Sequence, residues 1–277
     1  MGLVRPDLEA LRAQIAALEN RPHFVGDSVT ELGRREAIEG DAALLSPPAG
    51  VLHEVFSDEQ RNGGSALGFA LGLARGLLRG NRQALIYLQL ASEAQELGLP
   101  YGIGLQGLGI DPQQVVMGRI ATLTELLWAM EESIACRAVA GIVTDIMGHP
   151  KALDFTVSRR LSLRAAAAGT SVFILRYGRE REASAAKLRW RVSPHLSGEQ
   201  QFDPQSPGPP RFEIEIEKRR LGNRTQRAEG KRLIVDWTEN GFVPVDPARR
   251  PATRPHRAAP LPRTFTPALG DRLSEAS

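Results

Sequence analysis

Residues 51–78 read VLHEVFSDEQRNGGSALGFALGLARGLL. Val51–Phe56 is a short apolar run of strand character, Ser57–Gly64 is a polar turn bearing glycine, and Ser65–Leu78 is apolar at helical length. Strand, Gly-bearing loop and helix in this order form the unit on which phosphate-binding α/β proteins are built. The grammar then repeats. Ala84–Leu90 (ALIYLQL) and Val115–Ile120 (VVMGRI) predict strands, with an ambiguous Gly-rich stretch at Leu97–Leu108 between them. Leu123–Arg137 predicts a helix, and Val139–Thr144 (VAGIVT) a buried strand with Asp145 at its end. Leu153–Ala168 follows as a helix and Ser171–Tyr177 (SVFILRY) as a strand. Strands alternating with crossover helices predict an α/β fold with a mostly parallel sheet covered on both faces.

After Tyr177 the pattern changes. Lys187–Val192 (KLRWRV), Arg211–Arg219 (RFEIEIEKR) and Arg232–Trp237 (RLIVDW) alternate in polarity and are separated by turn-rich segments such as DPQSPGPP at 203–210. No helix of crossover length lies between them, which predicts an antiparallel C-terminal extension. Phe212, Ile214 and Ile216 alternate with Glu213, Glu215 and Glu217, so one face of that strand should be wet.

Upstream, Leu8, Leu11, Ile15 and Leu18 recur at three- and four-residue steps and mark one stripe of an amphipathic helix over 7–20. Such a stripe suits a partner chain or the chain's own core, and these four residues are a candidate partner-binding helix. Residues 21–50, ending in Ser46-Pro47-Pro48-Ala49-Gly50, read as a linker. From Pro244 to the end the chain holds seven of its 19 prolines and little that is apolar, the composition of a disordered Arg/Pro-rich tail. The expected organisation is a helix and linker over 1–40, an α/β domain over 41–243 and a tail over 244–277.

Composition narrows the function classes. Of 35 basic and 32 acidic residues, six and three lie from Pro244 onward, so the remaining chain carries 29 of each sign. The body is balanced and the basic excess sits in the tail. One cysteine in 277 residues excludes a disulfide framework or a Cys-based zinc site, and the five histidines show no ligand spacing, so no metal is expected. No apolar run reaches membrane-spanning length and the N-terminus lacks a secretory h-region, which predicts a cytoplasmic protein without membrane contact. Cys136 reads as a buried small hydrophobe, and Trp128 and Trp190 as core residues.

The loop at 57–65 reads SDEQRNGGS. A working phosphate loop is GxxxxGK[ST], in which backbone N–H groups wrap the phosphates, the lysine neutralises them and the hydroxyl holds magnesium. With Gly63-Gly64-Ser65 set on the GK[ST] end, Asp58 stands where the first glycine belongs and Gly64 where the lysine belongs. Two like charges at contact range repel by roughly 4 kcal/mol at an effective dielectric of 20. The loss of the lysine removes the main counter-charge for phosphoryl transfer. Arg61, Ser65 and Asp145 are the residues left for a noncanonical nucleotide site. A literal GxGxxG at Gly102, Gly104 and Gly107 has no strand directly before it, so the dinucleotide reading fails. Arg176, Arg179, Arg181 and Lys187 follow a central strand and are candidate phosphate or DNA contacts, although Glu180 and Glu182 interleave.

The order of these elements resembles the RecA core, and the wording is similar to the inducible mutagenesis A (ImuA) proteins. The segments that carry the likeness are Leu52-His53-Glu54-Val55, Gly64–Leu71 (GSALGFAL), Tyr101–Leu105 (YGIGL) and Leu108–Pro112 (LGIDP). Leu127–Glu132 (LWAMEE), Ser158–Leu163 (SRRLSL) and Leu188–Val192 (LRWRV) complete it, so that it spans roughly residues 45–240. The resemblance implies a RecA-like accessory factor of SOS-induced, error-prone translesion DNA synthesis after DNA damage. Its implied partners are a Y-family-like polymerase homologue (ImuB), an error-prone replicative-type polymerase and RecA, with DNA reached through the complex. It implies no cofactor and no enzymatic activity of its own. In active RecA-like proteins a glutamate after the second strand activates water. Gln89 lies near that place here, and Asp145 matches the Walker-B aspartate. Two other readings remain open: an ATP-binding switch or ATPase built on the altered loop, and a direct DNA-binding module using Arg176–Lys187 and the tail.

Overall fold

The computed structural model describes residues 40–198, 206–221 and 228–245. Nine strands form one sheet: β1 Leu52–Ser57, β2 Ala84–Leu90, β3 Val115–Ile120, β4 Val139–Ile146, β5 Ser171–Tyr177, β6 Leu188–His195, β7 Arg211–Arg219, β8 Arg232–Thr238 and β9 Gly241–Val245. Their order is β3-β2-β4-β5-β1-β6-β7-β8-β9. The first six in that row, β3 to β6, run parallel, and β7, β8 and β9 continue antiparallel. The fold is α/β with a mostly parallel, mixed sheet.

Among the described residues five α-helices accompany the sheet: α1 Gly63–Arg75, α2 Ala94–Leu97, α3 Gly102–Gly107, α4 Leu123–Ala135 and α5 Phe155–Ala168. β1, β4 and β5 are buried along their whole length because helices cover both faces. On one face Phe69, Ala70, Leu73 and Ala74 of α1 pack on Val55, Val143, Phe173 and Leu175. On the other, Leu126, Met130 and Ile134 of α4 and Leu161 and Ala165 of α5 pack on Leu52, Ile142, Val172 and Ile174. The two outer helices have well-formed ends. Thr122 and Glu125 make a reciprocal capping box on α4, and the Asp154 carboxylate accepts from the Val157 N–H at 2.8 Å on α5. Gly169 then ends α5 at φ +71°, a left-handed conformation that favours glycine.

Several sequence expectations need correction. β6 is not part of a purely antiparallel extension: it pairs parallel with β1 and antiparallel with β7. Residues 178–187 therefore cross over β1 without a helix. Ten extended residues reach about 33 Å, enough to return past a six-residue strand. Side chains and backbone pin this ribbon to the α5 side. Ser184 Oγ donates to Glu54 at 2.7 Å. The Ala185 N–H donates to Ser158 Oγ at 3.0 Å, and the Lys187 N–H to the Leu52 carbonyl at 3.0 Å. Ala186 is buried with the α4 and α5 core. β9, unforeseen in the sequence, carries the sheet to Val245, two residues past the expected boundary. Cys136 is exposed at the end of α4. Trp190 is fully buried, but Trp128 is 65% exposed. The glycines of the GxGxxG match lie on α3 itself.

The strand of alternating glutamates buries Phe212, Ile214 and Ile216, and its other face carries ion pairs. Glu215 meets Arg191 and Arg232, and Glu217 meets Arg181. The expected helix at Leu8–Leu18 and the tail beyond Val245 lie outside the described residues.

Candidate functional site

The loop between β1 and α1 sits at the carboxyl end of the parallel strands, where open α/β sheets place their ligands. Side-chain parity decides where its acid goes. Val55 faces α1, so Phe56 faces the opposite side, as does Arg191, its register partner on β6. Asp58 is drawn to that opposite side. Its carboxylate accepts from Arg181 Nη2 at 2.7 Å and Arg191 Nη1 at 3.3 Å. Arg181 also holds Glu217 at 2.8 Å and lies 4.1 Å above the Phe56 ring. Burial alone would raise the Asp58 carboxyl, but the two guanidiniums outweigh it and hold the group below the ordinary carboxylate range. The repulsion of phosphate expected from Asp58 is therefore largely cancelled by its partners. Glu59 likewise takes Arg61, with Nε at 2.5 Å from Oε2 on the surface.

What lies beside the start of α1 is aromatic. Asp145 ends β4 on the α1 face, is 2% exposed, and accepts hydrogen bonds on both oxygens, from Tyr87 Oη on β2 and Tyr177 Oη on β5. Burial pushes the Asp145 carboxyl up, and the two phenols pull it part of the way back. Burial, then the neighbouring carboxylate, pushes both phenols upward, so they stay protonated donors. The Tyr177 ring also lies against the first turn of α1, where a Cβ on Gly63 would stand 2.9 Å from Tyr177 Cε1. Phenol and ring thus fill the space between the helix start and Asp145. Glu93, raised by burial, sits beside this cluster and accepts from the Met147 N–H at 3.2 Å. Gln89 is fully buried on the same face, and both atoms of its amide lack a hydrogen-bond partner. It approaches no solvent from which a water could be drawn.

The remaining loop residues lie at the start of α1. Gly64 is exposed, and a Cβ there would meet nothing within 4 Å. A lysine would fit, but none is present. Asn62 makes no side-chain cap on α1, and the first turn of that helix has no acid. Beside it lies an open cavity of about 420 Å³ between α1, α3 and the β6–β7 ends, which Gly64 and Ser65 help to line.

Arg176 at the end of β5 and Arg179, Arg181 and Lys187 after it are not brought together as a free patch. Arg176 is 2% exposed, and its Nη2 donates to the Gly148 carbonyl at 3.0 Å and to Glu182 at 3.3 Å. Arg181 is held by Asp58 and Glu217. Arg179 is exposed and Lys187 half-buried. Arg189, which bridges to Glu54 at 2.8 Å, and Arg191 complete a face on which arginines meet carboxylates. Sequence reasoning missed Tyr87, Tyr177 and Arg191. The signal was available in part: Tyr87 precedes Gln89 by two and Tyr177 ends a central strand, so period-two parity puts both on the Asp145 face. Among the described residues no group of three or more His, Cys, Asp or Glu side chains is arranged to hold a metal, and no helix is long and apolar enough to cross a membrane. Compared with protein-family models and with curated proteins, the sequence matches none.

Proposed function

We propose that this chain is a RecA-like protein of the ImuA type that acts as a non-enzymatic adaptor in SOS-induced, error-prone translesion synthesis. In this reading it binds a Y-family-like polymerase homologue and RecA, and reaches an error-prone replicative-type polymerase and DNA through that assembly. The observation that carries the non-enzymatic half is the Asp145 clamp. A Walker-B aspartate must offer an oxygen toward magnesium. Here both oxygens are taken by phenols, and the Tyr177 ring stands against the helix start that would receive the β-phosphate. Gly64 at the lysine position removes the remaining counter-charge. The partner half rests on the resemblance of the segments quoted above. A sheet whose central strands β1, β4 and β5 are covered on both faces suits a rigid presenter of surfaces.

The test has two arms. Titration calorimetry of the full chain with ATP and magnesium is expected to give no binding heat. Micromolar binding that Ser65→Ala abolishes would replace the adaptor with a nucleotide switch. Affinity capture from DNA-damaged cells, with the whole chain and with chains lacking 1–22 or 244–277, is expected to recover the polymerase homologue with the whole chain and to lose it with one truncation. Recovery with none of the three would refute the adaptor role. Direct DNA binding is the weaker alternative, because Arg176, Arg181, Arg189 and Arg191 are committed to partners within the fold. Its signature would be an affinity that falls steeply with salt.

A further inference from the structure

Arg176 and Arg181 are tied up within the fold, but cations at the other, amino-terminal edge of the parallel strands are not. An open cavity of about 540 Å³ lies there, at the carboxyl ends of α4 and α5. Arg79, Arg82 and Arg137 line it together with Asn81, Cys136 and small side chains of the two helices. Among the described residues that line it, none is acidic and none is aromatic. Arg79 and Arg82 are fixed by the tight turn Gly80-Asn81. Each backbone N–H of the pair donates to the other's carbonyl at 3.0 Å, and Gly80 takes φ +55°. Such a pair projects both side chains to one side, where like charges oppose each other. Arg82 reaches inward. Its Nη1 donates to the Val139 carbonyl at 2.7 Å and to Thr170 Oγ1 at 2.8 Å, and its Nη2 to the Ala168 carbonyl at 2.5 Å. All three acceptors are uncharged groups, so its charge is not cancelled by a carboxylate. Arg79 and Arg137 are exposed, and neither side chain bonds to any described residue. Two helix carboxyl ends bring about one negative charge in all, which leaves the three guanidiniums in excess. The carboxylates next in sequence do not line the cavity: Glu131 is bridged by Arg160 and Arg164, and Glu132 is exposed on α4.

From this we infer that the cavity seats a backbone phosphate of a nucleic-acid strand that runs along the amino-terminal edge of the sheet. Guanidinium forks match phosphate oxygens in shape as well as in charge, and a phosphate between Arg79 and Arg82 turns their mutual repulsion into a shared attraction. With no aromatic side chain in the lining, a base has nothing to stack on, so the contact is to the backbone and independent of sequence. A second cation makes the ligand a strand and not a lone anion. Lys187 stands at the same edge, its N–H bonded to the Leu52 carbonyl at the start of β1, and its ammonium bonds to no described residue. β6, which follows it, is three strand spacings from β4, which follows Arg137. At about 4.8 Å per spacing that is about 14 Å. The inference goes beyond the adaptor reading, in which DNA is reached through partners, and does not require it.

The experiment titrates the full chain into fluorescein-labelled dT20 at 50, 100 and 200 mM KCl and follows anisotropy. Arg79→Ala with Arg137→Ala is expected to weaken binding at least tenfold at 50 mM and to lower the slope of log affinity against log salt by about 1.4, since each phosphate contact on a single strand contributes about 0.7. Arg119→Ala with Arg159→Ala removes the same charge from exposed positions on β3 and in the first half of α5, away from this edge, and should leave the slope unchanged. A second readout needs no variant. Cys136, the single cysteine of the chain, is exposed and lines the cavity, so its labelling by N-ethylmaleimide reports occupancy directly. Saturating dT20 is expected to slow that labelling at least fivefold. An unchanged salt slope in the Arg79/Arg137 double variant, an equal loss in the Arg119/Arg159 control, or unprotected Cys136 would overturn the proposal. Inorganic phosphate protecting Cys136 at the same phosphate concentration as dT20 would overturn the strand in favour of a small-anion site. Poly-L-glutamate binding as tightly as dT20 would overturn it in favour of an acidic protein.

Discussion

Acidification from pH 7 to pH 5 should destabilise this protein through one buried ring, and His53→Gln should remove that part of the response. His53 is fully buried on β1, stacked on Phe173 with centroids 4.2 Å apart. Its Nδ1 accepts from Trp190 Nε1–H at 3.3 Å, which leaves the proton of the neutral ring on Nε2, where it has no partner. Burial pushes the pKa down from 6.5 to about 3. Between those values the unfolded chain binds a proton that the native one refuses, so stability falls as pH drops below about 6.5. At about 1.36 kcal/mol per unit, the loss reaches about 2 kcal/mol at pH 5. For a domain of this size that corresponds to a fall of about 4–8 °C in Tm. The buried carboxyls of Asp145 and Glu93, raised in the folded state, act in the opposite sense, but they are common to both proteins and cancel in the difference. Thermal unfolding at pH 7, 6 and 5, followed by tryptophan fluorescence, measures it. Parallel Tm–pH lines for the wild type and His53→Gln would refute the account, and with it the neutral assignment of this ring.

Asp145→Asn should cost less than about 2 kcal/mol by urea unfolding, because an amide can accept from one phenol and donate to the other, and capture of the polymerase homologue should be unchanged. Tyr177→Phe, which leaves one oxygen of a buried carboxyl unpaired, should cost about 1–3 kcal/mol in the same assay. Gly63→Ala drives a methyl into the Tyr177 ring and should destabilise by about 1–3 kcal/mol. The same change at Gly64, where the space is open, should move stability by less than about 0.5 kcal/mol. Gly64→Lys restores the missing cation without steric conflict, yet calorimetry with ATP and magnesium should still register no binding, because Tyr177 and the clamped Asp145 remain in place.

The strands β2, β3 and β5 were legible to the residue, because each is an apolar run bounded by polar or glycine-bearing turns. The direction of β6 was not. Its alternating pattern fixes which side chains are buried, but whether it runs with β1 or against it depends on the path of residues 178–187. That path is set by contacts such as Ser184 with Glu54, which are distant in sequence. The loop at 57–65 shows a glycine and no lysine at position 64, while the repulsion expected of Asp58 left out its partners. A sequence shows a charge and not the two guanidiniums that neutralise it, one of them 133 residues away. Arg176 failed in the same way: it reads as a surface cation and is buried against the Gly148 carbonyl. Cys136 and Trp128 show the converse, apolar types at helix positions that happen to face outward.

The helix-free crossover gives the molecule an unusual sensitivity to length. The ribbon is fastened at Ser184, Ala185 and Lys187, and directly beyond it β6 turns Trp190 inward and Arg191 outward. Dropping one residue between Ser184 and Lys187 would invert that alternation, offering a guanidinium to the interior and an indole to water. The spacing of a few small side chains, with no turn of helix to absorb an error, therefore holds half the sheet to a single phase.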